Sequence, residues 1–160
     1  GARVVMLGAG GAARAVAFAL LDAGARELVV VNRTRARGAA LVRALGGGRR
    51  ARVQAPGTDA DWADLLRGAT LLVNATSLGM RGESSPVPAS AMRAPLRVVD
   101  LVYHPPVTAL LRAARRAGRP ALNGAGMLVH QGALAFTSWT GRRAPVAAMR
   151  QALRRALREE

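Results

Sequence analysis

The chain has 160 residues, 51% of them hydrophobic and 21% charged, enough for one domain with a substantial core and too apolar for a disordered polymer. It has no cysteine and only two histidines, His104 and His130, which excludes disulfides and thiolate metal sites and argues against zinc. Net charge is +15 and all 24 basic side chains are arginine; no apolar run reaches membrane-span length and no signal pattern opens the chain, so a cytoplasmic location is the default expectation.

The first element is strand Arg3–Leu7, from the apolar run Val4-Val5-Met6-Leu7. It ends in Gly8-Ala9-Gly10-Gly11-Ala12-Ala13 and opens helix Gly11–Ala23, with Gly24 as its stop. Strand, glycine turn and helix in that order are the context a G-x-G-x-x-G/A dinucleotide fingerprint requires. Gly8 lets the chain turn out of the strand, Gly10 lets a pyrophosphate approach the backbone, and Ala13 is small enough for close helix–strand packing. The amides of the helix N-terminus face the phosphates.

Strand Glu27–Val31 leads through Asn32-Arg33-Thr34 to helix Arg35–Leu45, which stops at Gly46-Gly47-Gly48. An NAD-specific fold places an Asp or Glu about 20 residues past the glycines. Here Asn32 stands there, followed by Arg33, Arg35 and Arg37. Guanidinium groups pair with a 2′-phosphate that a carboxylate would repel, and they stack on adenine. The segment therefore predicts NADP; the competing reading is a solvated basic loop in an arginine-rich chain.

A weak strand, Ala51–Gln54, precedes a short helix, Ala60–Arg67, that Asp59 can cap. Strand Thr70–Asn74 runs into Ala75-Thr76-Ser77 and a polar loop with Gly79, Gly82, Pro86 and Pro88. Ligands of doubly wound sheets sit beyond the carboxyl ends of the strands, so Asn74, Thr76 and Ser77 are aimed at that crevice. Ordinary turn chemistry would use the same residues.

Strand Arg97–Val102 follows, then Tyr103 and a proline-initiated helix, Pro106–Ala117. Asp100 inside a buried strand must be hydrogen-bonded and reads as the cap of a neighbouring turn. Tyr103, just past the strand, is placed to reach a substrate or to pack. A short strand, Arg119–Leu122, precedes helix Ala125–Trp139, and the tail Val146–Arg158 reads as an amphipathic helix. Gly124 and Gly126 allow close approach, and Met127 and Gln131, four apart, share a helix face. Methionine on such a face is ordinary core; glutamine demands partners when buried. His130 falls off that face. Strands alternating with helices predict an α/β, doubly wound parallel sheet, a Rossmann-like domain spanning residues 1–160.

The charge raises nucleic acid as a partner. The arginines are spread over helix surfaces, however, as in Arg112, Arg115 and Arg116, or Arg150, Arg154, Arg155 and Arg158, and aromatics are only 3%, too few for base-stacking platforms. We expect a nonspecific, salt-sensitive interaction at most. Because the chain starts at Gly1 without methionine and Arg3 already opens a strand, we expect a piece of a longer polypeptide, with nothing before the nucleotide-binding unit.

Five segments together resemble the C-terminal, NADP-binding domain of shikimate dehydrogenases: Gly8–Ala15, Asn32–Arg37, Asn74–Met80, Asp100–Thr108 and Gly124–Gly132. They occur in order, at consistent spacing, over nearly the whole chain. The resemblance implies an oxidoreductase of the route to chorismate, reducing 3-dehydroshikimate to shikimate reversibly with NADPH. It implies that Gly8, Ala9, Gly10, Gly11, Ala12 and Ala13 hold the pyrophosphate. Arg33, Thr34 and Arg37, beside Asn32, would take the 2′-phosphate, with Arg33 also over the adenine. Asn74, Thr76 and Ser77 would lie along the cofactor, while Leu101, Gly124 and Met127 would line the nicotinamide pocket. Tyr103 and Gln131 would reach the substrate. The family's acid/base pair is a Lys and an Asp in an N-terminal substrate domain, and this chain has no lysine. We therefore expect no catalytic residue here, the substrate domain absent, and an inactive half-enzyme; a homodimer is one expected assembly. Competing readings are a quinate/shikimate dehydrogenase-like paralogue, against which Arg33 argues, and a glutamyl-tRNA reductase, which leaves Tyr103 and Gln131 unaccounted for. A basic Rossmann module for nucleic acid or a partner protein is the third.

Overall fold

A computed structural model describes residues 1–47, 50–55 and 59–157, the side chains of 59 and 60 excepted. Six strands form one sheet: β1 (Arg3–Leu7), β2 (Glu27–Val31), β3 (Ala51–Gln54), β4 (Leu71–Asn74), β5 (Arg97–Asp100) and β6 (Ala121–Leu122). Their order is β3-β2-β1-β4-β5-β6, and every pairing is parallel. The order reverses between β1 and β4, so a crevice opens beyond their carboxyl ends.

Helices cover both faces, which is why the strands read as unbroken apolar runs. Val4, Met6, Leu28, Val30 and Val73 point to one face and are buried with Ala13, Ala17, Leu21 and Leu41. Those partners come from α1 (Gly11–Asp22) and α2 (Arg35–Ala44). Val5, Leu7, Val29, Val31, Leu72 and Val98 point to the other face. They pack with Trp62 and with Leu110 and Leu111, from α3 (Asp59–Leu65) and α4 (Ala109–Arg116). Each fully buried Val or Leu contributes on the order of 1.5–3 kcal/mol. Finally, α5 (Ala125–Thr140) and α6 (Val146–Ala156) form a pair at the end of the chain.

The element order matches the sequence reading; several boundaries do not. Strand β5 ends at Asp100 rather than Val102, because the Asp100 carboxylate takes the Val102 amide at 3.1 Å. Helix α4 begins at Ala109, not at Pro106, since the Thr108 hydroxyl caps it by accepting from the Leu111 amide. Helix α3 ends at Leu65, where the Arg3 guanidinium binds the Leu65 and Arg67 carbonyls, each at 2.7 Å. Strand β4 starts one residue later than expected, at Leu71, and β6 is reduced to Ala121–Leu122. A short 3-10 turn, Ala89–Ala91, lies inside the segment read as loop. Helix α3 starts at Asp59 itself, and α6 ends at Ala156 with Leu157 as its C-cap, short of the expected Arg158; the cap expected from the Asp59 side chain and Gly48 of the expected stop lie outside the described residues. Among the described residues, no helix is long and apolar enough to cross a membrane.

Candidate functional site

The glycine turn sits at the carboxyl end of β1. Gly8 has φ +104°, and its amide donates to the Val31 carbonyl at 2.8 Å. A Cβ there would come within 2.8 Å of the Ala75 carbonyl oxygen, so the β1 turn and the loop after β4 touch backbone to backbone. Gly10 precedes α1 in extended conformation, and no side chain caps the helix. The first amides of a helix have no intrahelical acceptor, and there is room beside this helix start, since a Cβ on Gly10 or Gly11 would meet nothing within 4 Å. Ala9 is half-buried, Ala12 exposed, and Ala13 fully buried against the sheet. The arrangement is a positively polarised helix start that fits an anionic group.

At the end of β2 the Asn32 amide donates to the Thr34 carbonyl at 2.8 Å, shaping the turn. Thr34 is the N-cap residue of α2, without a side-chain cap. Arg33, Thr34, Arg35 and Arg37 are exposed, and none of the ion pairs among the described residues involves them. No Asp or Glu occurs between Glu27 and Asp59. Three guanidinium groups therefore stand at this corner with no acidic neighbour in the segment.

Beyond β4 and β5 the polar residues bind one another. Asn74 is fully buried. Its amide nitrogen donates to Asp100 Oδ1 at 2.8 Å and to the Leu78 carbonyl at 3.0 Å. Its oxygen accepts from the Thr76 amide at 3.1 Å and the Thr76 hydroxyl at 2.6 Å. That uses all four of its hydrogen-bonding positions. Asp100, also fully buried, accepts in addition from the Thr108 hydroxyl at 2.6 Å. Burial pushes its carboxyl above the ordinary value, against the pull of bonds from Thr108, Val102 and Asn74. Asp100 thus joins two loops and a helix cap rather than one turn.

Leu101 and Val102 carry this cluster to α5. The Gly124 amide donates to the Val102 carbonyl at 3.1 Å, and a Cβ on Gly124 would lie 1.9 Å from the Leu101 oxygen. Only glycine lets α5 start against that backbone. A cleft of about 550 Å³ opens here, bringing together Ala12, Thr76, Ser77, Leu101 and Tyr103 from three separate segments. Tyr103 is exposed along it. Met127 is half-buried and Gln131 exposed, and neither forms part of its wall. Sequence reading missed the rest of the lining: Leu153 of α6 and Leu157 just past its end, with Met80 and His104. The signal was the i, i+4 leucine pair, but only the α5–α6 hairpin shows what it faces. The arginines after β2 lie outside the cleft, across β1 and β4. Among the described residues, no cluster of His, Cys, Asp or Glu could hold a metal.

Two family models match the chain: Shikimate / quinate 5-dehydrogenase over residues 1–78, and Shikimate 5'-dehydrogenase C-terminal domain over residues 124–154. A curated relative, shikimate dehydrogenase (NADP(+)) of Moorella thermoacetica, is 50% identical over 98% of this chain and 54% of its own length. Among solved structures, shikimate 5-dehydrogenase from Thermus thermophilus in complex with NADP(H) and shikimate is similar at TM-score 0.80 and 42% identity. That match covers 98% of this chain and 56% of the other. The Listeria monocytogenes shikimate 5-dehydrogenase, in complex with shikimate and NAD, matches at TM-score 0.86 and 31% identity, over 96% and 56%. The chain spans about half the length of the relatives it matches.

Proposed function

The chain belongs to the shikimate dehydrogenase family, and on that premise we propose that its 160 residues are the part of such an enzyme that holds NADP(H). The observation that carries this reading is the corner after β2, where Asn32, Arg33, Arg35 and Arg37 stand in a stretch without an acidic residue. Arg33, Thr34 and Arg37 take the 2′-phosphate, with Arg33 over the adenine and Asn32 setting the turn. The pyrophosphate sits on the α1 amides at Gly8–Ala13, where the open space at Gly10 and Gly11 supports the fit. Thr76 and Ser77 lie along the ribose and phosphates. Leu101, Gly124 and Met127 border the nicotinamide, and Tyr103 and Gln131 reach toward shikimate or 3-dehydroshikimate.

Bound NADPH supplies the hydride. The accompanying proton needs a partner within hydrogen-bond reach of the substrate oxygen. Asp100 is spent on Asn74, Val102 and Thr108, and there is no lysine. We assign the proton transfer to a Lys–Asp pair of a substrate domain outside these 160 residues.

Replacing Arg33 with Ala removes a charge-assisted contact worth about 1.5–3 kcal/mol. Calorimetry on the variant should show NADP affinity lowered roughly tenfold to a hundredfold, with a smaller loss for NAD, which has only the adenine contact to lose. Equal losses for both, or no loss for either, would refute the assignment.

A further inference from the structure

We propose that Asp100 is a positioning residue for the nicotinamide end of the cofactor, acting through the loops it joins rather than by contact. The inference rests on the NADP(H) reading above. The carboxylate has no cation among its hydrogen-bond partners. It takes three neutral donors from three places: Asn74 Nδ2 at the end of β4, the Val102 amide past β5, and the Thr108 hydroxyl that caps α4. From Asn74 the order passes to Thr76, whose amide and hydroxyl both donate to Asn74 Oδ1. The same hydroxyl accepts the Leu78 amide at 3.1 Å. From Val102 it passes to the Gly124 amide and the start of α5. Thr108 also faces Gly79, whose Cβ position is 3.1 Å from Thr108 Cβ and Cγ2. The segments assigned to the ribose and phosphates and to the nicotinamide are thus referred to one buried carboxylate: Thr76-Ser77, Leu101 and the α5 start.

The other end of the cofactor is held elsewhere. Arg33 and Arg37 follow β2, and β1 and β4 separate β2 from β5, about 14 Å at strand spacing. None of these bonds of Asp100 leads there. A fault at Asp100 should therefore divide the ligand, loosening one half and sparing the other.

Asp100→Asn keeps the size and changes the chemistry. An amide in place of Oδ2 presents a donor to the Thr108 hydroxyl, which already accepts from the Leu111 amide at 3.3 Å. The threonine proton then has no carboxylate to meet. Flipping the amide instead opposes Asn74 Nδ2 and the Val102 amide, which is worse.

The test compares two probes on the 160-residue chain: NADPH, and adenosine 2′,5′-bisphosphate, which carries only the adenosine end. The unaltered chain must bind both, and failure there sinks the NADP(H) reading rather than this one. In Asp100→Asn we expect NADPH to weaken roughly tenfold, while the bisphosphate stays within about twofold. Fluorescence of the bound nicotinamide should shift toward that of free NADPH. If Asp100→Asn does not fold, Thr108→Val and Thr108→Ser carry the same test. The valine should lose NADPH affinity selectively; the serine, which keeps the hydroxyl, should restore it. Equal weakening of both probes in a folded variant, or NADPH binding unchanged, overturns the proposal.

Discussion

Gly10 has a φ of −85°, which any residue adopts, and its Cβ position is empty of protein atoms within 4 Å. Folding therefore has little need of glycine there; an approaching pyrophosphate does. Gly10→Val should keep its unfolding free energy within about 1 kcal/mol, the scale of an N-cap substitution, and lose NADPH binding. Urea unfolding and fluorescence titration on one preparation check both halves, and an unchanged dissociation constant would make the turn purely structural. Gly8 is the opposite case, with φ +104° and the Ala75 carbonyl against its Cβ position. The sequence singled out both glycines, but their different duties depend on the loop after β4, which no local pattern reveals.

At the scale of elements, Glu27 ties three strands. It accepts from Arg3 of β1 at 2.8 Å and from Arg52 of β3 at 3.2 Å. Burial pulls its carboxyl upward, and the bonds and charges of Arg52 and Arg3 outweigh that, leaving it below the ordinary 4.5. A lowered folded-state value means stability that is complete above the unfolded value and lost as pH falls through the folded one. The group is partly exposed, so Glu27→Gln should cost only about 0.5–1 kcal/mol at neutral pH. The cost should vanish in acid, below the lowered value. Urea denaturation of both proteins across that range measures it; a pH-independent difference would assign the loss to something other than charge.

The central strands β1, β2 and β4 were legible because helices bury both faces and leave apolar runs, whereas β3, with Arg52 and Gln54 exposed, was only a weak signal. The start of α4 was not, since Pro106 and Thr108 are both acceptable openings and only the bond to Leu111 decides. Nor was the Asp100 cluster. Asn74 lies 26 residues away and is brought opposite Asp100 only by the β4–β5 register. The leucines of α6 were readable as an apolar stripe, without any sign that they wall the cleft.

At the scale of the whole molecule, the sheet separates two duties. The corner after β2 offers guanidinium groups, and the cleft beyond β4 and β5 offers Tyr103 and a set of apolar walls. We expect the 160-residue chain to oxidise no shikimate with NADP at any pH. Adding a separately made substrate domain should restore turnover only if that domain brings its lysine. Turnover by the chain alone, abolished by Tyr103→Phe, would make Tyr103 the catalytic residue. Net charge of +15 adds a salt-dependent attraction for any anion, so cofactor affinities have to be compared at one ionic strength. The most direct measurement is calorimetric titration of the unaltered chain with NADP and with NAD in the same buffer. The account predicts NADP tighter by roughly tenfold to a hundredfold, the worth of one charge-assisted contact at the 2′-phosphate; equal affinities would contradict it.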